Sequence, residues 1–356
     1  MLHNVYIEAR CAKTHREPHE RDGPRPLIRP LSRADQIRPR STVATRRTRE
    51  DSNVTAPAGT GNPAVERLRQ QLEEHGYLAD EGIATAIYLA IELERPLLLE
   101  GDAGVGKTEV AKTLTRMLDR PLIRLQCYEG IDVSQAVYEW DYARQLLHLR
   151  AAEIRSGDQL PEHAEDELYS ERFLVRRPLL QAIDQRSERP PVLLIDELDR
   201  ADDEFEAFLL EVLSDYTISV PELGTLSAEH PPLVVITSNR TRDLHDALKR
   251  RCIYHWVPHP GLEQEIAIVQ RRAEVGGQLA SDIARAVERL RTAGLYKPPG
   301  VAESIDWARA VARLGREALD VHTAQVTLGQ VVKHREDQEH LERQGLESIL
   351  DETVTH

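Results

Sequence analysis

The stretch GDAGVGKT at residues 101–108 has the residue types and the spacing of a phosphate-binding loop. It lies directly after the aliphatic run RPLLLE and directly before the helical pattern KTEVAKTLTRML. Glycines let the backbone amides face one anion, and the N-terminus of the next helix adds partial positive charge. We expect Lys107 to reach the outer phosphates and the Thr108 hydroxyl to bind magnesium. The residues predicted to bind the nucleotide here are Gly101, Asp102, Ala103, Gly104, Val105, Gly106, Lys107 and Thr108.

A second stretch, PVLLIDELDRADDE at residues 191–204, predicts a buried strand that ends in two acids. With a phosphate loop in the same chain, Asp196 is placed to hold the magnesium shell together with Thr108. Glu197 is placed to polarise the attacking water. Capping and first-turn positions of the following helix EFEAFLLEVLSD are predicted at Asp199, Asp202 and Asp203.

Two more polar features follow later strands. The run PLVVITS at 232–238 leads to Asn239, which is either a turn residue or a group that orients water or contacts the terminal phosphate at the carboxyl edge of the sheet. The segment LKRRC at 248–252 places Arg250 and Arg251 at a helix C-terminus. One arginine is interpreted as complementing the helix dipole. The other, with Arg251 favoured, is interpreted as an arginine finger that reaches the nucleotide of a neighbouring subunit.

The elements that must position these residues alternate between short aliphatic strands and helices. This alternation predicts an α/β fold with a parallel sheet and helices on both faces. Two helices precede the first strand, and a charged, largely helical insertion is predicted over 139–190. Strands are predicted at residues 95–100, 121–128, 191–196, 232–238 and 252–257.

Composition divides the chain into four parts. Residues 1–62 lack periodic apolar residues and are predicted to be a disordered basic extension, and residues 63–258 are predicted to be the nucleotide-binding α/β domain. After Pro258 the strand pattern stops, so residues 259–340 are predicted to form a small all-α domain of four helices. A polar C-terminal tail is predicted over 341–356.

Charge and cysteine content exclude several classes of protein. The net charge of the chain is −14. Residues 1–62 have 12 Arg/Lys and 7 Asp/Glu, so the remaining residues carry a net charge of −19. This acidic charge disfavours nucleic acid as a partner. Three scattered cysteines and 14 histidines without metal-ligand spacing argue against a zinc site and for a reducing compartment. Without an apolar run of about 18 residues or a signal peptide, we expect a cytoplasmic protein with no membrane partner.

The motifs GDAGVGKT, VLLIDELDR, ITSN and LKRRC, followed by a helical domain, resemble those of an AAA+ ATPase. Phrases such as RLQCYEGID, RFLVRRPLLQAI and KPPGVAESIDWA are similar to the MoxR group, in the branch associated with maturation of carbon-monoxide-dehydrogenase-type molybdenum hydroxylases. The resemblance covers about residues 63–340. It implies a P-loop AAA+ sheet with a helical lid, ATP and Mg²⁺ as ligands, and a hexameric ring that hydrolyses ATP at subunit interfaces.

The same resemblance implies partner proteins, and the chain departs from the family pattern at one position of the lid. The implied partners are a von Willebrand factor A-type protein and a metalloenzyme client, and a β-hairpin at 217–231 would lie near the ring pore. Related lid helices carry an arginine for the phosphates, whereas this chain has Ala302 and Glu303, so that role is absent or passed to a neighbour such as Lys297.

The favoured function is therefore an ATP-hydrolysing, chaperone-like remodeller of a protein partner. The alternative is a clamp-loader-like or helicase-like nucleic-acid ATPase, which the RRC segment supports and the acidic body opposes. A nucleotide-gated scaffold without hydrolysis is disfavoured because Glu197 is present.

Overall fold

The computed structural model describes residues 62–156, 167–184 and 189–347. The predicted basic extension lies outside these residues except for its last position. Nine strands are present in the described residues: β1 Leu97–Glu100, β2 Leu122–Gln126, β3 Tyr138–Trp140, β4 Leu174–Arg176, β5 Val192–Asp196, β6 Thr217–Val220, β7 Gly224–Ser227, β8 Leu233–Ser238 and β9 Ile253–Trp256. The five predicted strands are all confirmed, each within two residues of its expected ends.

The main sheet is parallel and has the strand order β2-β5-β8-β1-β9. Parallel strands end at the same edge of a sheet, so β5, β8 and β1 deliver the segments that follow them side by side. Those segments are Asp196–Glu197, Asn239 and the loop that starts at Gly101. The strand order therefore assembles the candidate site from three adjacent strands.

Strands β1, β5 and β8 are buried on both faces, as near-continuous aliphatic runs predict. Leu97 and Leu99 pack into the cluster that contains α1 to α3, whereas Leu98 packs into the opposite cluster with Leu193 and Ile195. Helices thus cover both faces of the sheet, and the predicted fold is confirmed.

The helices begin and end at residues that favour such boundaries. Asn62 accepts a hydrogen bond from the Ala64 amide before Pro63, and Asp80 accepts one from the Ile83 amide. The helices in the described residues are α1 Pro63–Glu74, α2 Glu81–Glu92, α3 Lys107–Leu118, α4 Val133–Ala136, α5 Tyr142–Ser156, α6 Pro178–Ile183, α7 Asp203–Asp215, α8 Asp246–Arg251, α9 Leu262–Ala273, α10 Gly277–Thr292, α11 Val301–Arg313, α12 Val321–Thr327 and α13 Arg335–Gln344.

The insertion between β2 and β5 differs from the largely helical prediction. It contains α5, but β3 and β4 pair antiparallel at its base, with Trp140 opposite Leu174. Trp140 also packs edge-on against Tyr138 and Tyr169. Three residues per strand are too few for an alternating pattern to be recognised in the sequence, and the pair forms because its aromatic side chains pack together.

The hairpin predicted from Thr217 is present, since β6 and β7 pair antiparallel with Thr217 opposite Ser227. Its second strand was expected at about Leu226–Ala228 and lies at Gly224–Ser227, two residues earlier at its start. Ile218 and Val220 are buried in the core cluster beneath the sheet, so one face of the hairpin is part of the core.

The C-terminal helices pack around a separate hydrophobic cluster centred on Trp307, whose indole Nε1 donates a hydrogen bond of 2.7 Å to Thr327 Oγ1. Three of the four predicted helices are α9, α10 and α11. The fourth is wrong as a single helix, because α12 ends at Thr327 and a 3-10 turn and a short loop separate it from α13. Helix α13 also continues to Gln344, past the boundary predicted at residue 340; the other domain boundaries stay predictions.

Within the part of the chain that the structure describes, every helix is too short or too polar to cross a membrane.

Candidate functional site

The loop at 101–108 has the backbone that its glycines predict. Gly104 and Gly106 have φ angles of 81° and 99°, in the left-handed region that favours glycine, and α3 starts at Lys107. The Lys107 ammonium is buried and donates hydrogen bonds to the carbonyls of Gly101 (2.8 Å) and Asp102 (2.7 Å). Burial lowers the pKa of Lys107, although the carboxylates around it act in the opposite direction. A phosphate anion would replace these carbonyls as its partner.

Asp196 lies at the end of β5 and contacts the loop helix directly. Its Oδ1 accepts hydrogen bonds from Thr108 Oγ1 (3.0 Å) and Thr237 Oγ1 (2.6 Å). A hydroxyl and a carboxylate oxygen are therefore adjacent at the N-terminus of α3, and this hard-oxygen pair fits Mg²⁺, which takes few protein ligands and completes its shell with phosphate oxygens and water. Thr237 of β8 also accepts the Glu197 amide (2.9 Å), so one side chain orients both acids.

Glu197 has a left-handed backbone with φ 55°, which is a strained conformation for a residue with a side chain. The strain turns its carboxylate toward polar groups from two neighbouring strands. Gln126 Nε2 donates to Oε2 (3.1 Å), and Asn239 Nδ2 lies 3.5 Å from Oε1. Arg200 is a further partner at 3.4 Å. A base held in this way can orient a water molecule for attack on a phosphate.

Two residues of this network were not predicted. Arg124 of β2 donates to Asp196 Oδ2 through Nε (3.1 Å) and Nη2 (2.5 Å), and it also bonds Gln126. Gln126 in turn contacts Glu197, so β2 links the two acids of β5. The available signal was the pair of polar residues at period two in an otherwise aliphatic strand, which places both on one face.

Asp199 does not have the capping role predicted for it. Its buried carboxylate accepts hydrogen bonds from the Asn239 amide (3.1 Å), the Thr241 amide (2.9 Å) and Thr241 Oγ1 (2.7 Å). Burial alone would raise the pKa of Asp199, but these donors outweigh it and hold the pKa below its ordinary value. Asp199 thus holds the turn that carries Asn239. Asp202 does cap α7, since it accepts from the Phe205 amide (2.8 Å).

The arginine pair lies on the surface at the end of α8. The Arg251 guanidinium is bonded to the Leu210 carbonyl (2.6 Å) and to Ser214 Oγ, both in α7. Arg250 is exposed, and its guanidinium has no hydrogen-bond partner among the described residues. Neither arginine contacts the phosphate loop of its own chain.

The N-terminus of α11 approaches the phosphate loop at Gly104. The Ala302 amide donates to the Gly104 carbonyl (3.2 Å), and Glu303 accepts from the Gly300 amide (3.0 Å) beside it. A Cβ on Gly104 would lie 2.9 Å from Glu303 Oε2, and a Cβ on Gly300 would lie 2.7 Å from the Ala103 carbonyl. The absence of side chains at both glycines is what allows this contact, and the residues that make it carry no positive charge.

A cavity of about 370 Å³ adjoins the loop, between the sheet and the C-terminal helices. It has the size and the mostly apolar character of a small-molecule site. Its polar lining residues include His255, His259, Gln264 and Arg272, of which Arg272 forms an ion pair with Glu109 (3.2 Å). Because the cavity opens beside Gly104 and Gly106, a nucleotide with its phosphates on the loop would have its nucleoside here.

These features define the class of the protein. A glycine loop before a helix, a hydroxyl–carboxylate pair for a divalent cation and an oriented second carboxylate form a P-loop site for nucleotide hydrolysis. The nucleoside cavity completes it.

The comparison with known families agrees with this class. Residues 96–252 match the AAA domain of the dynein-related subfamily. The matched range includes the phosphate loop, Asp196, Glu197, Asn239 and the arginine pair. This part of the chain is thus similar to an AAA domain. The protein is an ATPase whose ligands are ATP and Mg²⁺.

Solved structures with a similar fold include two of RuvB from Thermotoga maritima. The one described as the Holliday junction branch migration motor is 16% identical, with a TM-score of 0.39 over 74% of this chain and 68% of that chain. A single-residue variant of that RuvB is 16% identical, with a TM-score of 0.42 over 77% of this chain and 72% of that chain. A candidate ATPase from Cytophaga hutchinsonii is 15% identical, with a TM-score of 0.41 over 82% of this chain and 96% of that chain. These similarities are distant, and the assignment rests on the family match and on the site.

Proposed function

We propose that the protein is an ATP-driven, chaperone-like remodeller of the MoxR type, and that it hydrolyses ATP between neighbouring subunits of a ring, for which we expect six subunits. We further propose a von Willebrand factor A-type partner and a metalloenzyme client, as the sequence resemblance implies. The observation that carries the choice of a protein partner is the surface of α5 in the insertion.

Helix α5 exposes large apolar side chains. Tyr142, Leu147 and Ile154 are 67%, 71% and 85% exposed, and Leu146 is exposed beside them. Clustered apolar residues on one exposed helix favour contact with a protein surface. A surface that tracks nucleic acid needs a groove with basic residues and stacked aromatics. Residues 63–356 instead carry a net charge of −19, which repels the phosphate backbone.

The proposal of an interface site rests on the distribution of cations. Charge that develops on the transferred phosphoryl group requires a cation in addition to the loop lysine and magnesium. The lid residues that touch the loop are uncharged or acidic. The nearby guanidinium groups of Arg124, Arg200 and Arg272 are paired with Asp196, Glu197 and Glu109, respectively. Arg250 and Arg251 are exposed, and neither contacts the loop of its own chain. A neighbouring subunit can therefore supply the missing cation from this pair.

The partner class is tested by ATPase measurements. Basal turnover should rise with a von Willebrand factor A-type protein and should not respond to single- or double-stranded DNA between about 50 and 200 mM salt, where non-specific binding to nucleic acid changes most. Strong stimulation by DNA at 200 mM salt would overturn the proposal and establish the nucleic-acid motor instead.

The α5 surface is tested separately. Leu147→Asp combined with Ile154→Asp should abolish stimulation by the partner and leave basal ATPase activity unchanged. Leu314→Asp, which also alters an exposed leucine but in the lid, should keep the stimulation. Loss of stimulation in the control alone, or in neither variant, would contradict the assignment of this surface.

The interface site is tested with the arginine pair. Arg250→Ala and Arg251→Ala should both bind ATP, and the variant that lacks the acting arginine should hydrolyse it ~10³-fold or more slowly. Mixed with Lys107→Ala subunits, that variant should regain activity, since an intact loop then meets an intact arginine. No recovery in rings shown to be mixed would contradict a shared site.

A further inference from the structure

Arg95 connects the strand that leads to the phosphate loop with the segment that carries the arginine pair. It directly precedes Pro96 and β1, and its guanidinium bonds three consecutive main-chain carbonyls at the end of α8. Nε donates to the Arg251 carbonyl (2.9 Å), and Nη2 donates to the carbonyls of Arg250 (2.6 Å) and Cys252 (3.4 Å). None of these contacts involves the nucleotide site of the same chain.

The backbone of Arg95 is itself held firmly. Glu94 has a left-handed φ of 50°, and the Arg95 amide donates to the Ala90 carbonyl (3.1 Å), which closes the C-terminus of α2. The Pro96 carbonyl accepts the Ile253 amide (2.8 Å), so β1 and β9 are joined at this point. The side chain therefore extends from a fixed base to the end of α8.

The end of α8 needs such a partner. The last carbonyls of a helix have no partner within the helix, and a guanidinium with several donors in a rigid fork can satisfy more than one of them. On the other side, Arg251 bonds the end of α7 through Leu210 and Ser214. Arg95 and α7 thus hold the arginine-pair segment from two directions. Arg95 lies just before β1, which leads to the phosphate loop, and α7 follows the acids at the end of β5.

We propose that Arg95 is a positioning residue that fixes the Arg250–Arg251 segment for its action at the nucleotide site of a neighbouring subunit. This inference rests on the proposed interface site. Misplacement of a reacting group by about 1 Å can cost on the order of 10²-fold in rate. A contact that sets the backbone of the acting arginine therefore affects turnover in the neighbouring subunit and leaves ATP binding in its own subunit intact.

The test compares Arg95→Ala and Arg95→Lys with Arg144→Ala, a control away from the nucleotide site in which the lost guanidinium also bonds a main-chain carbonyl, that of Arg172. We expect Arg95→Ala to bind ATP with unchanged Kd and to turn it over ~10²-fold more slowly. Arg95→Lys should recover part of the rate, because an ammonium can bond a carbonyl but lacks the fork. The control should keep wild-type turnover.

Mixed rings distinguish positioning from general structural damage. Arg95→Ala subunits combined with Lys107→Ala subunits should regain activity, since the first supply an intact loop and the second supply a correctly held arginine pair. Weakened ATP binding by Arg95→Ala, or no recovery in mixed rings, would show that Arg95 serves its own subunit and would overturn the proposal. If Arg95→Ala does not fold, the same two measurements on Arg95→Lys decide the question.

The failure of this inference can be separated from the failure of the interface site. Full activity in Arg95→Ala, with a severe loss in an arginine-pair variant, overturns the role of Arg95 alone. Normal activity in both Arg250→Ala and Arg251→Ala overturns the interface site and this inference with it.

Discussion

The two sides of the nucleotide site are built differently. At the carboxyl edge of the sheet, Asp196 and Glu197 are held by side chains from β2, α3 and β8 in one continuous hydrogen-bond network. On the lid side, α11 touches the loop mainly through main-chain groups at Gly300 and Ala302. The first side contains the groups proposed for metal binding and water activation, while the second brings main-chain groups and the acidic Glu303, but no positive charge, to the loop.

The two sides differ in what a single chain can supply. A dense network of short contacts within the sheet can be complete in a single subunit, because strand order alone brings its members together. The lid contact brings main-chain groups of Gly300 and Ala302 against the loop and adds no cation there.

The largest effect is expected at the loop itself. Lys107→Ala should remove measurable ATP binding, because its buried ammonium is the only cation that the loop places against the outer phosphates. Calorimetric titration with ATP measures this. Lys112→Ala, an exposed lysine of the same helix, serves as the control and should bind ATP normally. Normal binding by Lys107→Ala would refute the assignment of the loop.

At the sheet edge, Glu197→Gln should bind ATP and turn it over at least ~100-fold more slowly, the scale expected when a general base is lost. Glu204→Gln, in the exposed first turn of α7, should keep its turnover. Phosphate release is measured beside nucleotide binding. If Glu197→Gln hydrolyses ATP at the normal rate, Glu197 is not the base.

On the lid side, Gly300→Ala should weaken ATP binding about tenfold, which corresponds to about 1.4 kcal/mol and lies within the range for overpacked sites. The added Cβ would lie 2.7 Å from the Ala103 carbonyl, so the lid must move away from the loop. Gly276→Ala is the matched control, since a Cβ there meets no atom within 4 Å. Equal ATP affinities for the two variants would show that the lid contact does not affect binding.

The smallest expected effect is a loss of folding stability at acidic pH. Burial lowers the pKa of His255 and of His259 below the ordinary 6.5, and the charge of Arg291 adds to the effect at His259. Between the folded and unfolded pKa values the unfolded chain binds more protons, so the stability from these groups is present above about pH 6.5 and is lost as pH falls below it. The melting temperature should therefore decrease on acidification in this range.

A double variant tests this dependence. His255→Asn with His259→Asn should flatten the decrease in melting temperature, whereas His322→Asn, an exposed lid residue, should not. The pKa of Asp199 is lowered, so the loss of its contribution to stability occurs at a lower pH, below its ordinary 3.8. An unchanged slope in the double variant would show that the cavity histidines do not contribute.

Much of the site followed from the order of residues along the chain. The loop at 101–108, the acids after β5 and Asn239 after β8 could be predicted because each follows a buried aliphatic strand, and parallel strands end at one edge. The fold class followed from the same alternation. These features depend on local periodicity and on residues that are adjacent in sequence.

Other features depended on strand pairing and helix packing. The contact of Arg124 with Asp196 spans 72 residues and exists because β2 pairs with β5, and Asp199 became a support for Asn239 because β8 lies beside β5. Likewise, the contact of Arg95 with the arginine pair spans more than 150 residues. Local sequence patterns were sufficient to predict the main-sheet strands and the motifs that follow them. The tertiary structure decided which distant side chains meet those motifs, because a polar side chain takes its partner from the neighbours that the fold places within hydrogen-bond distance.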